Sequence, residues 1–211
     1  MTNVLINNPK LIDICLDKHK LLNFLSVEGL PVPEHGIVGK DMPKKYPVII
    51  KPRRGQGNKG IKKVQKIIKN NAKNEEIWQE FLLPEDKEFT CAVYVDPNKD
   101  YRLLQIKRIL MGGNTVKGEI SDNKEIKNYI EKIVHIFNTE GCFNVQLRLT
   151  KAGPLIFEIN PRLSSTLVFR DKLGFEDLKW WITDKLGLDP LIYKKPKTGI
   201  RIYRGNSEYM I

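Results

Sequence analysis

Side chains that carry oxygen ligands alternate with apolar residues along two segments that read as strands, one on each side of a turn at residues 150–154. If that turn is symmetric about its central residue, Gln146 lies opposite Glu158 and Asn144 lies opposite Asn160. Directly opposed residues on one face of an antiparallel pair are about 5 Å apart. We therefore expect a carboxylate and several amides to act together on one ligand.

The other face of this predicted hairpin is apolar, which supports the register. It carries Phe143, Val145, Leu147 and Leu149 on the first strand and Leu155, Phe157 and Ile159 on the second. A slip of one residue would turn one of these sets toward water. The alternative interpretation of the polar face is an ordinary solvated strand.

The ligand set of the hairpin indicates a particular class of ion. One full carboxylate with amide oxygens suits Mg²⁺, which keeps few protein ligands and shares the oxygens of substrate phosphates. Arg162 follows Pro161 at the end of the second strand. Its guanidinium donors match a phosphate or a carboxylate, so we expect it to meet an anion near the metal.

A second constellation precedes the hairpin. Lys51 ends a short apolar strand and is followed by a GxGxxG sequence made of Gly55, Gly57 and Gly60. A dinucleotide-binding site would need a helix after the glycines, but residues 61–68 are β-branched and lysine-rich and read as a strand. Strand, glycine loop and strand form a flap that can fold over nucleotide phosphates. A surface hairpin with spare lysines is the alternative.

Hydrophobic periodicity predicts the elements that position these groups. Helices are expected over residues 10–28, 126–137 and 175–186, strands over 47–51, 61–68, 89–95, 101–110, 142–149, 155–159 and 199–204, and a further apolar segment over 76–83. Asp122 with Glu125 reads as a capping box before the second helix, while Gly141 and Gly187 stop the second and third helices. The result is an α+β fold of two lobes with a boundary near residues 80–88.

The last predicted helix leaves one aromatic side chain without an assigned place. Phe175, Leu178, Trp181, Ile182 and Leu186 form its expected core stripe, so Trp180 points elsewhere. Two environments remain open for Trp180: a missing domain or partner chain, or a contact within the molecule with the C-terminal segment.

Composition narrows the class of protein without naming a function. The chain has 211 residues and a formal net charge of +11, which favours an anionic partner or reflects a solvated lysine-rich face. No apolar run approaches the roughly 20 residues that span a bilayer, and no signal peptide is recognisable. Cys15, Cys91 and Cys142 read as reduced core residues. We expect a cytoplasmic protein without a membrane segment.

Together these segments resemble the ATP-grasp superfamily, in particular the ATP-binding modules of carbamoyl-phosphate synthase large subunits. The resemblance is carried, in family order, by Asp17–Lys20, Val48–Pro52 with the three glycines, Gln79–Leu82 with Glu88–Phe89, Asn144–Gln146, and Glu158–Arg162 with Ser164 and Ser165. It implies two α+β lobes that clamp a nucleotide. The division implied is a linker over 1–12, an N-terminal lobe with the flap over 13–80, and a C-terminal lobe with the metal hairpin over 81–211.

The resemblance also implies nucleotide contacts along the cleft between the lobes. These fall on Lys18, Lys51, Gly55, Gly57, Gly60, Glu80, Phe81, Leu82, Glu88 and Gln146. By analogy with the family, Lys18 and Lys51 would contact the phosphates of ATP. Glu80 and the backbone of Leu82 would meet the adenine. Glu88 would hold the ribose.

Metal binding and phosphoryl transfer are implied at the far end of the cleft. The resemblance places one or two Mg²⁺ ions, or alternatively Mn²⁺, on Gln146, Glu158 and Asn160. Glu158 would bridge two ions. Arg162 and Lys51 would stabilise the phosphoryl group in transfer.

The chain departs from the family pattern in three places. Glu80 and Glu88 are one residue further apart than expected, and Met111–Thr115 stands where a histidine often precedes the metal strands. Lys107 or Arg108 is expected to take over anion contacts there. Family members usually carry a further α/β subdomain before the first helix, and this chain starts almost at that helix.

Three hypotheses follow for function. The first is an ATP-dependent ligase that joins a small carboxylate to an amine or ammonia through an acyl phosphate. The second is an ATP-binding subunit or fragment that needs a partner, either a separate chain carrying the N-terminal subdomain or a homo-oligomer. The third is a basic nucleic-acid-binding module, which is disfavoured because aromatic residues do not interleave with the lysines.

Overall fold

The computed structural model describes residues 4–55, 60–67, 75–189, 192–205 and 208–210. Its helices are α1 Pro9–Cys15, α2 Lys18–Val27, α3 Lys124–Phe137, α4 Leu167–Lys172 and α5 Asp177–Leu186. Its strands are β1 His35–Ile37, β2 Val48–Pro52, β3 Lys62–Val64, β4 Glu76–Glu80, β5 Glu88–Val95, β6 Tyr101–Met111, β7 Asn114–Ser121, β8 Gly141–Thr150, β9 Gly153–Asn160, β10 Arg201–Arg204 and β11 Glu208–Met210. The predicted α+β class is confirmed.

Two antiparallel sheets organise these strands. The smaller sheet has the order β1-β4-β2-β3, and the larger has the order β11-β10-β7-β6-β5-β8-β9. The smaller sheet has a small core of Val38, Val48, Ile67 and Trp78. In the described residues the strand predicted over 61–68 is shorter, and Ile68 lies outside them.

The larger sheet is covered on both faces. On one face, α1, α2 and α3 share a core with alternate residues of β5, β8 and β9. On the other face, α4 and α5 pack on residues such as Ala92, Tyr94 and Cys142. Because β5 is buried on both sides, it reads as an almost continuous apolar run.

The single helix predicted over residues 10–28 is two helices. The backbone of Asp17 is extended, and its carboxylate accepts hydrogen bonds from the amides of His19 and Lys20 at 3.0 and 3.3 Å, so it starts a new helix. The apolar stripe continues across the break because α1 and α2 pack into the same core of the larger sheet. The first helices therefore share their core with the lobe that the sequence assigns to 81–211.

The predicted linker over residues 1–12 is wrong in its second half. The side-chain amide of Asn7 is buried and donates to the carbonyl oxygens of Cys142 and Pro161 at 2.7 and 2.8 Å. Helix α1 then begins at Pro9, and Leu11 lies in the core.

The capping box predicted before α3 is also wrong. Asn123, not Asp122, is the N-cap, and its side chain accepts a hydrogen bond from the amide of Ile126 at 3.0 Å. The helix ends at Asn138, which adopts a left-handed backbone conformation, so it stops before Gly141.

Helix α5 ends at Gly187 as predicted, but its core stripe differs. Ile182 and Leu186 are exposed, whereas Trp180 is 2% exposed. The Trp180 ring lies 5.1 Å from those of Phe175 and Tyr193. Of the two environments left open for Trp180, the structure shows the contact with the C-terminal segment.

The three cysteines are free and buried, in agreement with the sequence analysis. Burial raises the pKa of the Cys91 thiol to about 12. Within the described part of the chain, no helix is both long and apolar enough to cross a membrane.

Candidate functional site

At the open end of the β8–β9 hairpin, the observed register is the one that the sequence predicts. Asn144 pairs with Asn160, and Gln146 pairs with Glu158. All four side chains line one cavity of the cleft between the two sheets. The predicted convergence of carboxylate and amide groups is therefore present.

Nearer the turn the register differs from the predicted one, because a β-bulge follows the Gln146–Glu158 pair. Leu147 pairs with Ile156, so Phe157 is the extra residue. Ile156 and Ile159 enter the core, while Phe157 lines the cleft. The prediction that Leu155 and Phe157 face the core is thus wrong, since strict alternation cannot anticipate an inserted residue.

The cleft consists of two adjoining cavities of about 220 and 620 Å³. They share Leu110, Gln146 and Glu158, so the hairpin forms the border between them. The smaller cavity reaches the segment that joins the two sheets. The larger is lined mainly by polar groups and reaches the segment after β9.

The smaller cavity offers an apolar slot beside the connection between β4 and β5. Its lining includes Glu80, Phe81 and Leu82 together with Ile49 and Ile61. The carboxylate of Glu80 accepts a hydrogen bond from the amide of Glu34 at 3.2 Å, which fixes that side of the slot. Aliphatic walls beside a few polar groups suit a flat heterocycle.

Lys51 is buried at the base of the smaller cavity. Its ammonium donates to the side-chain oxygen of Gln79 at 2.6 Å and to the carbonyl oxygen of Phe157 at 3.2 Å. Burial lowers the pKa of Lys51 to about 7, although the nearby Glu158 carboxylate opposes the shift. Among the described residues no carboxylate forms an ion pair with this ammonium, so the site is prepared for an incoming anion.

Lys18 connects the hairpin to the root of the flap. Its ammonium donates to the carbonyl oxygen of Gly55 at 2.8 Å and lies 3.8 Å from the Glu158 carboxylate. Lys18 and Lys51 therefore flank Glu158 from two directions.

The flap root is clamped to the N-terminus of α2. Arg53 donates to both carboxylate oxygens of Asp17 at 2.5–3.2 Å, and the amide of Lys18 donates to the carbonyl oxygen of Arg53. Gly60, just before β3, has a φ of +76°, and a side chain there would press on Pro52. The predicted site residue Gly57 lies outside the described residues.

Glu88 is held between two arginines. Arg108 donates to one carboxylate oxygen at 2.9 and 3.1 Å, and Arg148 donates to the other at 2.5 Å. Arg148 also donates to the carbonyl oxygen of Leu82, and Arg108 to the side-chain oxygen of Gln146. This network ties the connection between the sheets to the hairpin.

Arg162 lines the larger cavity with Ser164 and Ser165. One of its nitrogens donates to the carbonyl oxygen of Leu163 at 2.9 Å. The fully buried Arg170 supports this rim by donating to the hydroxyl of Ser164 at 2.7 Å and to Asp177 at 2.6 Å. Arg162 is thus placed at the edge of the same space that the hairpin oxygens face.

The donor chemistry of the hairpin fits a hard divalent cation. Glu158 supplies the charge, and Gln146 and Asn160 supply amide oxygens on the same face. The Gln146 oxygen accepts from Arg108 but keeps a second lone pair. Among the described residues, no group of three His, Cys, Asp or Glu side chains could hold a metal. A bound ion would therefore need oxygens from a substrate as well.

The sequence predicts no site role for Gln79, Arg148 or Phe157, and it does not predict Arg108 as the partner of Glu88. Arg148 shares a strand face with Gln146, which was a usable signal. Gln79 meets Lys51 only because the smaller sheet brings β4 beside β2, and Phe157 enters the cleft only through the bulge. Lys107 was the other residue expected to take the place of the histidine common in the family. Its ammonium instead lies 3.5 Å from the Asp86 carboxylate.

Comparison with known proteins shows what this chain is similar to. A family model described as the ATP-grasp domain matches residues 15–166. The chain is 27% identical over 179 residues to the N5-carboxyaminoimidazole ribonucleotide synthase of Aquifex aeolicus, covering 77% of this chain and 49% of that protein. It is 23% identical over 188 residues to the carbamoyl-phosphate synthase of Methanobrevibacter smithii, covering 77% and 50%. The chain thus spans about half the length of the curated relatives it matches.

Solved structures agree on the fold. The carboxyaminoimidazole ribonucleotide synthase of Aspergillus clavatus, solved in complex with ATP, superposes with a TM-score of 0.74 at 14% identity. The alignment covers 92% of this chain and 57% of that one. At this identity the match shows a shared fold.

Proposed function

Since this chain belongs to the ATP-grasp domain family, we propose that it binds Mg-ATP in the cleft between its two sheets and activates a small carboxylate. A carboxylate oxygen forms a bond to the γ-phosphorus while the bond from that phosphorus to the β,γ-bridging oxygen breaks, and ADP leaves. An amine then attacks the acyl phosphate and expels inorganic phosphate. The product is an amide, and one ATP becomes ADP and phosphate.

The observation that carries this proposal is the convergence of Gln146, Glu158 and Asn160 on one face, with the buried Lys51 beside them. Lys18 and Lys51 flank Glu158 and would hold phosphate oxygens by charge-assisted hydrogen bonds. A bound Mg²⁺ would neutralise charge between the β- and γ-phosphates. The apolar slot at Phe81 and Leu82 would take the adenine.

Orientation is the main contribution of the chain to such a transfer. Arg162 faces the larger cavity, where its guanidinium would stabilise the charge that develops on the transferred phosphoryl group. Glu88, fixed by Arg108 and Arg148, would position the ribose hydroxyls. The described residues need to supply no side-chain nucleophile.

The test is calorimetric titration with Mg-ATP, together with an ADP-release assay over small carboxylates with and without amines. Glu158→Gln keeps the shape of the side chain but removes the only carboxylate of the proposed metal set. We expect it to weaken Mg-ATP binding at least about tenfold, which corresponds to about 1.4 kcal/mol. Glu28→Gln, on an exposed residue after α2, is the matched control. Equal affinity in the two variants would contradict the proposed metal set.

The second candidate is an ATP-binding subunit that does not turn over alone. The fact that favours it is that the chain spans about half the length of its curated relatives. Saturable Mg-ATP binding with no ADP release for any carboxylate would support this candidate over the first. ADP release that depends on a carboxylate would exclude it.

A further inference from the structure

A further cavity, outside the cleft, lies at the far end of two strands that line the cleft. Strands β5 and β6 run from Glu88 and Arg108 in the cleft to Tyr94 and Arg102 at the opposite end. There a cavity of about 330 Å³, here called the Arg102 cavity, opens against α5. Its lining includes Tyr94, Asp96, Arg102, Trp180, Thr183 and Asp184. It shares no lining residue with the cleft.

The guanidinium of Arg102 is held by aromatic rings and not by carboxylates. Its central carbon lies 4.3 Å from the centroid of the Trp180 ring and 5.8 and 5.7 Å from those of Tyr94 and Tyr193. In the described part of the chain it makes no hydrogen bond or ion pair. Stacking fixes the plane of the guanidinium and leaves its edge donors available for an oxyanion.

A carboxylate also lines the Arg102 cavity. Asp184 lines the same cavity from α5, and one of its oxygens is buried without a hydrogen-bond partner among the described residues. Burial raises the pKa of Asp184. Asp184 and Arg102 do not form an ion pair with each other in the described structure. Two opposite charges therefore border one small space without neutralising each other.

The aromatic wall also holds polar atoms without partners. Tyr94 and Trp180 are almost fully buried, yet the tyrosine hydroxyl and the indole nitrogen find no hydrogen-bond partner in the part of the chain described, and neither does the hydroxyl of Tyr193. Buried hydroxyl and indole groups ordinarily have a partner. Two of these groups belong to Tyr94 and Trp180, which line the Arg102 cavity.

We propose that the Arg102 cavity binds a small zwitterion of the amino-acid class, with its carboxylate on Arg102 and its ammonium on Asp184. A simple anion would meet the acidic wall, and a simple cation would meet the guanidinium. The other acidic group, Asp96, is already engaged, since one oxygen accepts from the amides of Asn98 and Asp100 at 2.9 and 3.0 Å. The volume lies at the low end of the range for ligand sites, which suits a molecule of this size.

The test is calorimetric titration of the whole chain with each proteinogenic L-amino acid. The best of them is then compared with its analogues that lack the amine or the carboxylate. We expect saturable binding of at least one amino acid, weakened at least about tenfold by Asp184→Asn and by Arg102→Lys. Glu28→Gln should leave this affinity unchanged, because Glu28 is exposed and lies outside both the cleft and the Arg102 cavity. Thermal unfolding of each variant checks that it is folded.

Three results would overturn the proposal. The first is that no amino acid binds at millimolar concentration. The second is that Asp184→Asn, a nearly isosteric change, leaves binding intact. The third is that the analogue without the amine binds as well as the amino acid, which would make the cavity an anion site. None of these results bears on Mg-ATP binding, so the nucleotide site is judged separately.

Discussion

At the scale of single residues, Lys51 determines how the cleft responds to pH. Its pKa is about 7 in the free protein because burial disfavours the ammonium. An unfolded lysine keeps its ordinary value of 10.5, so between pH 7 and 10.5 the unfolded state binds more protons. The free energy of unfolding is therefore expected to rise with pH across that window.

Nucleotide binding should reverse this shift, since phosphate oxygens beside Lys51 stabilise its charged form. We expect Mg-ATP to take up a proton when it binds at pH 8 and to bind less tightly as the pH rises above 7. Titrations in two buffers of different ionisation enthalpy measure the uptake directly. Lys51→Met should abolish it. Identical binding enthalpies for the wild-type chain in both buffers would refute the role of Lys51.

Single residues also show which parts of the site could be predicted from the sequence. Gln146, Glu158 and Asn160 could be placed together because two alternating strands and one turn fix their register. The acceptor for Lys51 could not be predicted, because Gln79 reaches it from a strand that is 28 positions away and paired only in the folded sheet. Asp17 belongs to one of the motifs recognisable in the sequence, but its ion pair with Arg53 depends on tertiary contact.

At the scale of elements, the Asp17–Arg53 clamp holds the root of the flap. Asp17→Asn keeps a good N-cap residue but removes the charge that faces Arg53. We expect a loss of about 1–3 kcal/mol in the free energy of unfolding and weaker Mg-ATP binding, measured by urea denaturation and calorimetry. Asp13→Asn is the control, because its partner Lys20 is on the surface and the expected loss is under about 0.5 kcal/mol. Equal losses of unfolding free energy in the two variants would show that the Asp17–Arg53 ion pair contributes no more than a surface pair.

A second prediction at this scale concerns the contact between β8 and α5. Gly141 has a φ of +93°, and a side-chain carbon there would come within 2.6 Å of the Trp181 ring. Gly141→Ala should therefore lower the free energy of unfolding by about 2–4 kcal/mol. Gly187→Ala also has a positive φ but meets open space, so we expect a loss of about 1 kcal/mol. Similar values for both would mean that contact with Trp181 is unimportant.

The same elements show why boundaries were less predictable than element types. The stripe over residues 10–28 predicted helix correctly, but the break at Asp17 leaves the apolar spacing intact because both helices face one core. The aromatic positions of α5 were misassigned because its partner surface includes the C-terminal segment around Tyr193. Spacing within an element carries no information about such a partner.

At the scale of the whole molecule, the two sheets are joined by more than the connection at residues 81–87. Helix α2 contacts both β1 of the smaller sheet and β9 of the larger. We therefore expect one cooperative unfolding transition, although the two-lobe division at 80–81 remains a prediction. Mg-ATP at 100 times its dissociation constant should stabilise the chain by about 2.7 kcal/mol. Calorimetry that resolves two transitions, only one of which moves with Mg-ATP, would contradict this view.

The bulge at Phe157 has a practical consequence for protein engineering. It places the tip of the β8–β9 hairpin and its ligand-bearing end out of phase by one residue. Because Lys151 and Ala152 are exposed at the turn, we expect loops grafted there to leave the pairing of Gln146 with Glu158 unchanged. Deleting Phe157 to make an ideal hairpin would instead bring the two halves into phase, withdraw an aromatic ring from the cleft and remove the carbonyl oxygen that accepts from Lys51.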